Sequence, residues 1–174
     1  MGNTRLVLLA ITAVLALVLV GCDGGTEPEG SPLEDLQLVG VDFELNSMVI
    51  TNNGSETVRT EGLWAYRDGE SFQFSIFMIE PRASILFSMR ELGEISTAAG
   101  EIALADSESF DDPDSLLQYV AWGGDGFDLL STATDAGLWP AEEAAEITSD
   151  AIFLVRSDPT ANGPLAWESS NQAP

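Results

Sequence analysis

The sequence predicts an all-β sandwich. Three observations carry that expectation. Past residue 36 apolar and polar residues alternate with period two; turn-forming dipeptides separate the alternating runs; and the runs recur at roughly 8–12 residues, as in sandwiches of short strands. In chain order, VDFELN sets Val41, Phe43 and Leu45 against Asp42, Glu44 and Asn46. SFQFSIFMI places Phe72, Phe74, Ile76 and Met78 on one side, and SILFSM groups Ile85, Phe87 and Met89. EIALAD puts Ile102 and Leu104 on one face; LLQYVAW and AIFLVR complete the expected strands. Between them, NNGSE at 52–56, RDGES at 67–71 and EPRAS at 80–84 hold the Asn-Gly, Asp-Gly and Pro signals that reverse a chain. AAG at 98–100 and GGDG at 123–126 flank further strands. One segment breaks the pattern: PAEEAAEIT, Pro140 to Thr148, has the proline start, early acidic residues and alanines of a short helix.

The N-terminus reads as a secretory signal. Arg5 precedes an apolar run from Leu6 to Val20, interrupted only by Thr12. As a helix this run would span only about 22 Å, short of a hydrocarbon core of roughly 30 Å. At its end lies Cys22, the only cysteine, so an intrachain disulfide is excluded. A soft-metal site needs several Cys or His ligands, and the chain has no histidine. Leu19-Val20-Gly21-Cys22 resembles the bacterial lipobox. That resemblance implies cleavage before Cys22, a diacylglycerol thioether on its sulfur, and often acylation of the new amine. Several acyl chains anchor stably where a single chain is marginal. The residues that follow, DGGTEPEGSPLED, offer almost nothing to bury and read as an acidic tether.

Charge narrows the function further. The chain has 29 acidic and 6 basic residues, and all the basic ones are arginine. Loss of the signal removes Arg5. So negative a surface repels phosphate backbones, which disfavours nucleic-acid partners. Without histidine there is no Ser-His-Asp or Cys-His site, and without lysine no Walker lysine, Schiff base or Ser-Lys dyad. Carboxylates remain. DSESFDDPDS gathers Asp106, Glu108, Asp111, Asp112 and Asp114 in one loop, a composition suited to a calcium ion but without the EF-hand spacing. A solvated acidic loop is the simpler reading.

Several strands together resemble a lamin-tail domain. MVITNNGSETVRTEGLWAYRDG is similar to that family's opening through Val49, Ile50, Asn52, Gly54, Val58, Gly62 and Trp64. IEPRASILF resembles its Leu-x-Pro-Gly segment. GEIALADSESFDDPDSLLQYVAWG resembles its closing signature through Gly100, Ile102, Leu104, Asp106, Val120, Trp122 and Gly123. The likeness spans roughly residues 38–125. Leu63 stands between Gly62 and Trp64, Arg82 replaces the glycine after Pro81, and Gln118 occupies a position where an acidic residue is common. The resemblance implies an immunoglobulin-like β-sandwich, a binding or structural module without catalytic residues. Trp64 and Trp122 then read as core or corner residues.

The expected organisation is a lipoprotein signal at 1–21, a lipidated Cys22 with tether at 22–35, a β-sandwich at 36–168 and a frayed tail at 169–174. The expected role is non-catalytic: an envelope or surface lipoprotein held to a membrane, inner or outer, through Cys22 and contacting an envelope or extracellular partner. No catalytic, cofactor or metal residue is assigned. Two alternatives remain: a calcium-stabilised adhesive or carbohydrate-binding domain, and a carboxylate-based hydrolase.

Overall fold

The structure, a computed structural model, describes residues 33–140 and 143–174. Eleven strands and one helix follow in chain order: β1 (Leu36–Asp42), β2 (Ser47–Asn52), β3 (Val58–Arg59), β4 (Trp64–Arg67), β5 (Glu70–Gln73), β6 (Met78–Ile79), β7 (Ser84–Ser88), β8 (Gly100–Ala105), β9 (Leu116–Trp122), α1 (Leu130–Asp135), β10 (Phe153–Arg156) and β11 (Trp167–Ser170). They form a five-stranded sheet in the order β11-β10-β1-β2-β7, a four-stranded sheet β5-β4-β8-β9 and a ribbon β3-β6. Neighbours within each sheet are antiparallel.

The two larger sheets stack as the alternating pattern requires. Leu38, Val41, Met48 and Ile50 from one and Ala65, Ile102, Leu104 and Val120 from the other are fully buried. Phe43 meets Trp122 edge-on, with ring centroids 5.6 Å apart. Arg156 on β10 donates from Nη1 to the Gln118 side-chain oxygen on β9 at 2.7 Å, a second bridge between sheets. Burying such apolar surface at about 25 cal/mol per Å² is the main force holding the layers together.

Turn chemistry sets the registers. Asp68 and Gly69 both have positive φ, 46° and 93°, which is the type I′ hairpin that an Asp-Gly pair favours. Asn46 at φ 51° closes the β1–β2 turn. That turn corrects one expectation: VDFELN is not one strand. β1 ends at Asp42, whose Oδ1 accepts the Leu45 N–H at 2.8 Å, and Leu45 is left exposed.

Arg82 has φ 62° in the Glu80–Ala83 turn, closed by the Ala83 N–H to the Glu80 carbonyl at 3.0 Å. A side chain there costs about 1–2 kcal/mol, more than the entropy a glycine would add. Arg82→Gly should therefore stabilise the fold by about 0.5–1 kcal/mol, read as a higher urea midpoint. A lower midpoint would mean that the arginine side chain has a compensating role.

The expected helix at Pro140–Thr148 finds no counterpart among the described residues of that span. Residues 141 and 142 lie outside the described residues, and 143–148 carry no helix. Ala145 instead makes a parallel bridge to Trp122, and the Trp139 indole donates to the Glu143 carbonyl at 2.7 Å. The helix is α1, slightly earlier in the chain. Two boundaries also move. Leu33–Asp35, placed in the tether, form a 3-10 turn packed on β3. Ser169 and Ser170, placed in the frayed tail, belong to β11. The signal at 1–21 lies outside the described residues.

Candidate functional site

The outer face of the four-stranded sheet is covered, and its covering encloses a polar cluster. Cross-strand register puts Tyr66, Ala103 and Tyr119 in one row, with Glu101 beside Ala121 in the next. Small alanines on this face leave room for the segment 127–139 to lie over it. Glu101 is buried to 2% exposure. Its Oε1 accepts the Asp128 N–H at 2.8 Å; its Oε2 accepts the Tyr119 hydroxyl at 2.8 Å and the Leu129 N–H at 3.2 Å. The Tyr66 hydroxyl donates to Asp128 Oδ2 at 2.8 Å, and the Tyr119 ring meets Trp139 edge-on.

Electrostatics follow from that burial. Desolvation raises the Glu101 pKa above its ordinary value, and the nearby Asp128 carboxylate adds to the rise; hydrogen bonds from Tyr119, Leu129 and Asp128 oppose it. Both phenols are pushed up as well, Tyr119 by burial and then by the Glu101 charge, Tyr66 by burial and then by its bond to Asp128. Both oxygens of Glu101 are engaged by donors from its own fold. Chemically the cluster is a brace: it pins the approach to α1 onto β8 and β9.

The residues that carry the sequence resemblance act as joints. Asn52 is fully buried; its Nδ2 donates to the carbonyls of Glu56 at 2.7 Å and Ile79 at 2.8 Å, and its Oδ1 accepts the Gly54 N–H at 2.8 Å. Gly100 lies beneath the Trp122 ring, where a Cβ would come within 2.5 Å of Cζ2. The Trp122 indole donates to the Ser96 carbonyl at 2.9 Å. Gly123 has φ 78° and passes so near Ala98 that a Cβ would meet the carbonyl oxygen at 2.0 Å. Trp122 is a core residue, fully buried, while Trp64 is half-buried against the core.

The chain matches no protein-family model, no curated protein and no solved structure.

Of the residues singled out in the sequence, Cys22 lies outside the described residues. Asp106, Glu108, Asp111, Asp112 and Asp114 do lie in one loop, but among the described residues no three His, Cys, Asp or Glu side chains converge to hold a metal. Asp112 uses Oδ1 to accept the Asp114 N–H at 3.1 Å, and Ser107 and Ser115 are joined through their hydroxyls. No described helix is long and apolar enough to cross a membrane. An open groove of about 1050 Å³ runs between Ala98, Gly123, Ala145 and Trp167, with Glu143 and Glu146 exposed along it. Sequence reasoning passed over Glu101. The available signal was Glu101-x-Ala103-x-Ala105: a strand face of small residues, which asks to be covered.

Proposed function

We propose that this protein is a lipid-anchored lipoprotein of the bacterial envelope, carrying an immunoglobulin-like, lamin-tail-like module that contacts another envelope or extracellular component without catalysis. The observation that carries the reading is the order of Leu19-Val20-Gly21-Cys22 at the end of the apolar run, followed by a domain whose first described element begins at Leu33. Lipidation at Cys22 leaves the sandwich within a short tether of the bilayer. The non-catalytic part draws support from Glu101, whose oxygens are engaged by Tyr119 and two backbone N–H groups. The lamin-tail part draws support from Asn52, Gly100, Trp122 and Gly123, each of which has a structural duty at its motif position.

Mass spectrometry of the native N-terminus tests the anchor. The expected species begins at Cys22 and carries a diacylglycerol thioether. Cys22→Ser should lose the lipid and leave the detergent phase for the aqueous phase. A bare thiol, an uncleaved leader, or a serine variant that partitions like wild type would overturn the reading. Pull-down from the native envelope with the domain beginning at Leu33 would identify the partner.

A further inference from the structure

We propose that the β6–β7 edge docks the domain onto the phospholipid bilayer, with its apolar side chains at the headgroup–acyl boundary and its arginines on lipid phosphates; this rests on the anchor reading above. Four large apolar residues there are half-exposed: Ile76 at 56%, Phe77 at 46%, Met78 at 50% and Leu86 at 51%. They are held in place. The Phe77 N–H donates to Thr60 Oγ1 at 2.8 Å, and the Phe77 carbonyl accepts the Thr60 N–H at 3.0 Å. Its ring meets Phe87 edge-on at 5.5 Å on the inner side of β7, while Leu86 projects from the opposite face of the same edge strand. β7 is the outermost strand of its sheet, and β6 pairs only with β3, so the patch occupies an open edge.

The arginines are unevenly placed along the chain, and this part is the least negative. Residues 47–91 hold four of the five arginines that follow the signal, against six acidic residues. Residues 92–174 hold one arginine against sixteen. Three of those four arginines border the patch. Arg59 sits directly across from Met78 and pairs with Glu61, Arg82 shares the β6–β7 turn with Glu80, and Arg90, next to Glu91, follows β7 and donates from Nε to the Leu45 carbonyl at 3.3 Å. Guanidinium groups bind phosphate oxygens in a fork, and Phe, Ile, Met and Leu are suited to the acyl boundary. The acidic remainder of the domain is repelled by anionic headgroups, which orients the patch toward the membrane.

The anchor delivers the patch. The eleven residues Cys22–Pro32 cannot reach beyond about 40 Å in any conformation. They enter the fold at Leu33–Asp35, which packs on β3, the hydrogen-bonding partner of β6. Tethering at this range raises the effective concentration of bilayer to the millimolar scale, about what a small patch needs to stay docked.

The test uses the chain beginning at Cys22, coupled through that sole thiol to a maleimide lipid in phosphatidylcholine vesicles. The same chain capped with N-ethylmaleimide, without vesicles, is the reference. Hydrogen exchange of residues 75–90 should slow on the vesicles, and the triple variant Phe77→Ser, Met78→Ser, Leu86→Ser should abolish that slowing. Should the triple variant melt early, Arg82→Glu with Arg90→Glu serves instead and should weaken it. Unchanged exchange on vesicles overturns the proposal, as does slowing in the capped chain that grows with protein concentration, which would mark a contact between two copies. Since coupling supplies the lipid, either result stands apart from the native N-terminal mass that tests the anchor.

Discussion

Gly123→Ala should destabilise the protein by about 2–5 kcal/mol, seen as a lower urea midpoint at unchanged slope. Two effects add. At φ 78° a side chain costs about 1–2 kcal/mol in backbone strain. The new Cβ would also sit 2.0 Å from the Ala98 carbonyl oxygen, so the backbone at 98–99 must move, at a further cost of about 1–3 kcal/mol. Gly126 separates these terms. It has the same φ of 78° but nothing within 4 Å of its would-be Cβ. Gly126→Ala should therefore show the strain alone, about 1–2 kcal/mol. Equal midpoint shifts for the two variants would mean that Ala98 does not pack against Gly123.

Stability should fall as pH rises from mildly acidic to neutral, and Glu101 should account for a distinct share of the fall. Burial raises the pKa of this carboxyl above its ordinary 4.5. Below 4.5 it is neutral in folded and unfolded chains alike and makes no difference. Above 4.5 the unfolded chain releases the proton first. Each unit of pH up to the folded pKa then removes as much as about 1.4 kcal/mol of stability, after which the loss is constant. Repulsion among the remaining carboxylates acts in the same direction, since the chain carries 29 acidic residues against 6 arginines. Glu101→Gln removes only the first effect. Melting temperatures from pH 4.5 to 7.5 should show a shallower decline in the variant. Parallel curves would place the buried charge elsewhere.

The strands and turns were legible where local chemistry decided them. Asp68-Gly69 makes its hairpin because both residues tolerate left-handed backbone, and Ile85, Phe87 and Met89 share a face because pleating has period two. The alternation of VDFELN misled because Asn46 accepts positive φ, and the chain turns while the pattern continues. The helix was misplaced for a tertiary reason. Leu130–Asp135 reads Leu-Ser-Thr-Ala-Thr-Asp, with two threonines, a serine and poor intrinsic propensity. Its approach is set by a carboxylate on β8, residue 101, accepting the backbone N–H groups of 128 and 129. No local window contains that contact. Conversely, Ala145 and Glu143, good helix formers, have their backbone groups taken, Ala145 by the Ala121 carbonyl and Gly123 N–H and Glu143 by the Trp139 indole. Glu101 was hidden for a related reason: an acidic residue in a strand normally faces water, and only the cover over the two alanines buries it.

β1 is the first strand of the sandwich to be synthesised, and it lies between β2 and β10. β2 arrives within a few residues, whereas the partner of Gly40 on the other side is Val155. Until Phe153–Arg156 have emerged, β1 therefore presents a row of unpaired N–H and C=O groups, an edge open to wrong pairing. A chain that stops before β10 would expose this seam permanently. Late arrival of β10 thus makes the earliest strand of the sheet one of the last to be fully paired.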